Sequence, residues 1–215
     1  MNLDLFAGIK AIVFDAYGTL VDITDRRRPY AKLLQALTAT GRIPCESDAA
    51  RLMSAPVGLA GTAHMFGVEL PASILAPIEQ DLFAELASVM LYPDTIRTMA
   101  SLRQVGIKIG VCSNLAAPYA IPVKTLLPLP LDAYAWSFEV GAIKPDSAMY
   151  RLVCEMLACA PQEILFVGDR LDADYHGPRG VGMRSVHLVR HGDAQVTETI
   201  QSLDELTAPF MPAHV

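Results

Sequence analysis

The chain has 215 residues, 52% of them apolar, with 23 acidic against 17 basic side chains and a formal net charge of −6. That length supports one sizeable core plus a small inserted unit, and that charge excludes a nucleic-acid or anionic-membrane surface while still permitting a small anionic organic substrate held by local donors. No apolar run reaches membrane-spanning length, and MNLDLFAGIK places Asp4 ahead of Lys10, without the basic start of a secretory signal, so a cytoplasmic protein with no membrane partner is expected.

The first apolar run, KAIVF at 10–14, predicts a buried strand ending at Asp15. Between Val21 and Met90 no strand is convincing, but helical patterns recur: Leu33, Leu34 and Leu37 before Gly41, then Ala49 to Met65, then Ile74 to Met90. The Arg26-Arg27-Arg28 triplet reads as a solvated helix start. Pro71 and Tyr92-Pro93 mark turns, and Ile96, Met99 and Ala100 share a helix face before Gly106. IKIGVC at 107–112 predicts a second buried strand, in which Cys112 packs as a small hydrophobe. Cys45, Cys112, Cys154 and Cys159 contain no CxxC pair, so free thiols are expected. Pro122, Lys124, Pro128 and Pro130 interrupt the next apolar stretch, and Pro145 opens a helix carrying Met149, Leu152, Val153 and Met156. EILFVG at 163–168 and, after Gly182, RSVHLV at 184–189 predict further strands. Strands alternating with helices imply right-handed crossovers and a three-layer, Rossmann-like α/β core with a parallel sheet, formed by residues 1–20 and 92–215. Residues 21–91 form an all-helical insertion.

In open parallel sheets ligands bind beyond the carboxyl ends of the strands, and here those ends are polar. The first run ends in Asp15-Ala16-Tyr17-Gly18-Thr19-Leu20, the second in Ser113-Asn114, and the third in Gly168-Asp169 followed by Asp172 and Asp174; Lys144 precedes Pro145. A carboxylate nucleophile splits one difficult displacement into formation and hydrolysis of a covalent ester. Lys144 offers a compact charge to offset Asp15 and a bound anion, and Ser113 can donate to the oxygens of a transferred phosphoryl group. Gly18 permits a tight turn, and Thr19 can donate to Asp15 or to the loop backbone. Each feature alone has an ordinary structural explanation: Asp15 as a helix cap, Ser113-Asn114 as a turn, Lys144 as a surface residue, Asp169 and Asp174 as cap and solvated acid. Asp172 reads as a solvent-facing or supporting acid, and His176, His187 and His191 lack metal-ligand spacing.

The set in this order, DAYGTL, then Ser113-Asn114, then IKPDSAMY, then GDRLDADYHGPRGVGM, resembles the haloacid dehalogenase-like hydrolases over the whole chain. The resemblance implies Asp15 as nucleophile, Ser113 as the hydroxyl binding the transferred group, Lys144 as the neutralising lysine, and residues 21–91 as a helical cap. It also implies substrate contacts from Tyr17, Thr19 and Asn114, and a Mg²⁺ site built from Asp15, the main-chain carbonyl of Tyr17, Asp169 and Asp174.

The first motif departs from the phosphatases of that superfamily, which carry an acid two residues after the nucleophile where this chain has Tyr17. DAYGTL is similar instead to the 2-haloacid dehalogenases, and Tyr150 matches a position that those enzymes use. A dehalogenase also wants a cap arginine to receive halide, for which Arg42 and Arg51 are the candidates. Three carboxylates facing one lysine repel one another unless a cation joins them, which favours Mg²⁺-dependent hydrolysis of a small phosphate ester or acyl phosphate. Carbon–halogen hydrolysis is the second expectation, and a weakly active small-anion binder on the same fold the third.

Overall fold

The computed structural model describes residues 3–127 and 130–210. Pro128, one of the expected interruptions, lies outside them.

Strand β1 (Ala11–Phe14) is fully buried because it is the centre of the sheet, covered on both faces. Its side chains alternate between faces, as the two-residue strand repeat requires. Ile12 and Phe14 enter one core with Ile109, Val111, Leu165 and Val167, whereas Ala11 and Val13 enter another with Cys112, Met149, Val153 and Phe166. Two cores on opposite faces of one sheet make three layers.

A two-stranded antiparallel ladder, β2 (Val21–Ile23) against β3 (Val89–Leu91), departs from the expectation of no strand between Val21 and Met90. Each strand has only three residues, too few for a repeat to show in sequence. The main sheet continues with β4 (Lys108–Ser113), β5 (Ala133–Trp136), β6 (Ile164–Gly168), β7 (Arg184–Leu188) and β8 (Thr199–Ile200), in spatial order β5-β4-β1-β6-β7-β8 with every pairing parallel. Strand β8 escaped the sequence reading because it has only two residues, and β5, of four residues, was not singled out there.

Four helices lie between the ladder strands: α1 (Pro29–Ala39), α2 (Asp48–Met53), α3 (Leu59–Met65) and α4 (Ala72–Ala87). The expected continuous helix from Ala49 to Met65 is thus broken at Ser54–Gly58, where Pro56 cannot supply a helical N–H. Leu33, Leu37, Leu52, Leu59, Ile78 and Leu82 give these helices a core of their own. Helix α5 (Thr95–Gln104) buries Thr95, Thr98, Met99 and Leu102, and Ile96 points outward at 38% exposure, so the expected face was rotated. Helices α6 (Ala120–Leu126), α7 (Ser137–Val140), α8 (Ser147–Leu157) and α9 (Gly177–Gly180) complete the layers. All four cysteines are free. Among the described residues no helix is long and apolar enough to cross a membrane.

The chain enters and leaves the four-helix segment through one neck. Ile23 pairs with Val89, and beyond the ladder Thr24 Oγ1 donates to the Ser88 carbonyl at 2.8 Å while Asp25 N–H donates to Ser88 Oγ at 3.0 Å. Glu85, only 4% exposed on α4, closes this neck. Its carboxylate accepts from the N–H groups of Arg27 and Arg28, just ahead of α1 where Arg28 turns left-handed at φ 56°, and from the Tyr119 hydroxyl of the sheet body at 2.6 Å. A buried carboxylate that satisfies three donors leaves all three stranded when removed. Glu85→Ala is therefore expected to cost about 2–4 kcal/mol in chemical denaturation. A loss under about 0.5 kcal/mol would show that the neck does not depend on it.

Candidate active site

Asp15 follows the last residue of β1, and its N–H extends the ladder to the Val167 carbonyl at 2.9 Å. The carboxylate therefore stands at the carboxyl edge of the central strand, between β4 and β6. Ser113 ends β4 there, and Asp169 follows β6. Asp174 returns to the same edge because residues Leu171–His176 form a π-helix, a wide turn that carries its fourth residue back over the strand end. The result is one cleft of about 490 Å³ lined by Asp15, Tyr17, Ser113, Asn114, Lys144 and Asp169 among others.

Two glycines make room for this convergence. Gly18 sits at φ +88°, and a Cβ there would lie 2.5 Å from Asp169 Oδ2. A Cβ on Gly168 would overlap the Asp174 carboxyl group. Any side chain at either position would push a carboxylate off the strand edge. Oxygens of Asp15, Asp169 and Asp174 consequently lie within 4.8 Å of one another.

Lys144 holds the group together. Its ammonium is 3% exposed as a residue and donates to Asp15 Oδ1 at 2.7 Å, Asp174 Oδ1 at 2.6 Å and the Cys112 carbonyl at 2.8 Å, which uses all three donors. Burial opposes its charge, but Asp15 and Asp174 outweigh burial and raise its pKa above the ordinary lysine value. Asn114 fixes where that lysine starts: its Oδ1 accepts from the Lys144 N–H at 2.7 Å and its Nδ2 donates to the Lys144 carbonyl at 2.9 Å. Asn114, expected to touch substrate, thus lines the cleft with both polar atoms already on the Lys144 backbone.

The remaining expected residues fall in different places. Ser113 lines the cleft, and its hydroxyl has no protein hydrogen-bond partner among the described residues. Tyr17 also lines the cleft, but its hydroxyl donates to the Tyr119 carbonyl at 2.8 Å, and burial followed by the charge of Glu85 raises its pKa above the ordinary tyrosine value. Thr19 is fully buried and outside the cleft lining, and its hydroxyl finds neither Asp15 nor a loop carbonyl. The loop closes over it as Leu20 and Val21 bond back to Ala16. Tyr150 is likewise outside the lining: it lies beneath the site, donating to the Ala173 carbonyl at 2.6 Å. Arg42 pairs with Asp48 and stacks on Phe66, Arg51 stacks on the same ring, and neither lines the cleft. Asp172 is exposed, as expected, and His187 packs beneath Asp169 with Nε2 at 3.1 Å from its carbonyl.

Arg26 and Arg170 line the cleft and were not singled out from sequence as site residues. Arg26 sat in a triplet with the look of an exposed helix start. Arg170 could have been noticed, since it stands between two residues of the acidic motif.

Burial raises the Asp174 carboxyl to about 7, against the pull of Lys144 and with the help of Asp15. Burial also raises Asp169, with Asp15 adding to it. An acid whose pKa is higher folded than unfolded stabilises the fold while protonated, so this contribution is complete below about pH 4 and is lost as pH rises toward about 7. In chelator, the melting temperature of the native chain should fall relative to that of Asp174→Asn between pH 4 and pH 7. Parallel curves for the two proteins across that range would refute the assignment of this cost to Asp174.

Comparison with known proteins gives one concordant result. The model of the haloacid dehalogenase-like hydrolase family matches residues 9–182. The chain is 28% identical over 202 residues to a glyceraldehyde 3-phosphate phosphatase of Methanopyrus kandleri, covering 85% of this chain and 84% of that protein. A crystal structure of a haloacid dehalogenase-like phosphatase from Thermococcus onnurineus superposes with a TM-score of 0.65 at 25% identity, covering 93% of this chain and 97% of that one. The L-2-haloacid dehalogenase of Xanthobacter autotrophicus, with chloropropionic acid covalently bound, shares the fold at a TM-score of 0.61 and 23% identity, covering 93% and 97%. With an aspartate at the end of the central strand, a buried lysine bridging it to the acidic loop, and a family match over most of its length, the chain belongs to the haloacid dehalogenase-like hydrolases.

Proposed function

We propose that the protein is a Mg²⁺-dependent phosphatase of small phosphorylated molecules, acting through Asp15. The observation that carries this reading is the crowding of Asp15, Asp169 and Asp174 within 4.8 Å around one ammonium that is already fully used. The donor set fits a hard divalent cation: Asp15 Oδ2 carries no protein hydrogen bond, Asp169 faces the same cleft, and Tyr17 lines it, where its main-chain carbonyl would be a further ligand. Asp174, with one oxygen on Lys144 and the other accepting from Arg170 N–H at 2.9 Å, would serve that site through its remaining lone pairs or through water. Bound there, Mg²⁺ would offset the charge of the carboxylates and of the phosphoryl oxygens.

In this reading a carboxylate oxygen of Asp15 attacks phosphorus, the bond from phosphorus to the ester oxygen breaks and that oxygen leaves with a proton taken from water, and a second water then hydrolyses the aspartyl phosphate to inorganic phosphate and free Asp15. Lys144 holds Asp15 in position through Oδ1, and the free Ser113 hydroxyl donates to a phosphoryl oxygen. The four helices between Pro29 and Ala87 act as a cap over the cleft, to which Met53 of α2 contributes a lining side chain. We place the cap at residues 21–91 and the catalytic core at 1–20 and 92–215. The phosphatase named among the relatives acts on a small phosphorylated sugar, in keeping with this class.

Asp15→Asn should lower phosphate release at least about 1000-fold with the fold intact by circular dichroism, and retention of more than a few per cent of activity would remove Asp15 from the nucleophile role. Phosphate and halide are to be read in the same samples with Mg²⁺ and with chelator. Phosphate release that requires Mg²⁺ supports the proposal, whereas halide release from a 2-haloacid in chelator would replace it by the dehalogenase reading. Tyr17→Phe tests whether the hydroxyl bonded to Tyr119 also protonates the leaving group. Its kcat should stay within about threefold of native, and a drop beyond about 100-fold would assign the hydroxyl a catalytic proton.

A further inference from the structure

A second cavity of about 650 Å³ adjoins the Asp15 cleft. It is bounded by Tyr92, His187 and the loop from Leu188 to Gln195, and the two cavities share Gly18, Arg26, Asp169, Arg170 and Asp172 as a common saddle. A ligand whose phosphoryl group sits at Asp15 can therefore extend over this saddle without displacing the helical segment.

The cations along this path divide into two kinds. Lys144 has spent its three donors inside the protein. Arg190 is also committed: it meets both oxygens of Asp94 at 3.0 Å, donates to the Thr19 carbonyl at 2.6 Å and covers the Tyr92 ring. Arg26 and Arg170 are different. Arg26 makes one ion pair, to Asp22 at 3.0 Å, between side chains 57% and 40% exposed, so water competes for it and a ligand can replace it at little cost. The Arg170 side chain has no hydrogen-bond or ion-pair partner among the described residues. Each guanidinium presents five donors in a planar fork suited to a carboxylate or phosphate. Asp169 and Asp172 share the saddle and oppose an anion there, so the two arginines must outweigh them.

We infer that Arg26 and Arg170, the two uncommitted guanidiniums at the saddle between the cavities, bind a second anionic group, carboxylate or phosphate, on the non-transferred part of the substrate. The inference rests on the phosphatase reading above and narrows its substrate class to small phosphate esters bearing a second anion. The arginines act on binding of the tail and take no part in bond breaking at phosphorus.

The test compares phosphoglycolate with 2-hydroxyethyl phosphate, a pair in which a carboxylate replaces a neutral hydroxymethyl group at nearly constant size, on the native enzyme and on Arg26→Gln, Arg170→Gln and the double variant with Mg²⁺. The native enzyme should favour phosphoglycolate at least about tenfold in kcat/KM, the gain of one charge-assisted fork at a partly exposed site. Each single variant should raise KM for phosphoglycolate about three- to tenfold while leaving KM for 2-hydroxyethyl phosphate within about twofold, and the double variant should erase the preference. Equal loss on both substrates would overturn the inference by placing the arginines on the transferred phosphoryl group. Absence of any preference in the native enzyme would overturn it while leaving the phosphatase reading intact, and failure to hydrolyse either ester, or any other phosphate ester, would overturn both.

Discussion

The Lys144 ammonium is the interaction on which the site depends. It is buried, and a buried charge must be paired and hydrogen-bonded on every side or it loses more than it gains. Here its three donors meet two carboxylates and one carbonyl at 2.6–2.8 Å. Those acceptors come from β1, from the end of β4 and from the loop after β6, so one side chain pins three strand ends to one another. Asn114 makes the arrangement reproducible by grasping the Lys144 backbone at both N–H and carbonyl. Removing the lysine would leave two buried carboxylates facing each other; removing Asn114 would leave the lysine present but unaimed.

Close approach of acids to this centre depends on absent side chains. Gly18 and Gly168 stand where a Cβ would meet Asp169 and Asp174, respectively. The π-helix at Leu171–His176 has a similar effect by widening one turn, and Tyr150 supports it from below at the Ala173 carbonyl. The site is thus assembled at some electrostatic cost, visible in the raised pKa of Asp174 and Asp169. A divalent cation would relieve that cost, and this is the physical link between the geometry and the proposed chemistry.

Charge is divided between building the site and meeting the ligand. Lys144 is fully engaged with Asp15, Asp174 and a backbone carbonyl, and Arg190 holds Asp94 and the Thr19 carbonyl through its two terminal nitrogens, so that they order the strand ends and the first loop. Arg26 and Arg170, at the rim, keep most of their donors for solvent or substrate. The neck formed by β2, β3 and Glu85 connects the helical segment to that rim, since Arg26 lies in the stretch between β2 and α1.

The α/β class and the parallel sheet were legible in the sequence, as was the candidacy of Asp15, Ser113 and Asp169 at strand ends and of Lys144 and Asp174, which the fold brings to the same edge. Buried parallel strands are written as continuous apolar runs, and ligands gather where such runs stop. The family match adds that the order of these motifs was informative as a set. What each polar side chain would touch was not legible, because hydrogen-bond partners are chosen by neighbours far away in the chain. Asn114 turned to Lys144, 30 residues on, and Tyr17 to Tyr119, 102 residues on, while Thr19 was sealed inside its own loop. Short strands were missed for a related reason: β2, β3 and β8 have two or three residues and exist only because partners lie beside them. Arg26 carried no signal in a basic triplet, since a solvated arginine and a cleft-lining one are the same residue type. Only the tertiary fold, which sets the β2–α1 connection and the Asp169 loop around the same two cavities, brought it to the saddle between them.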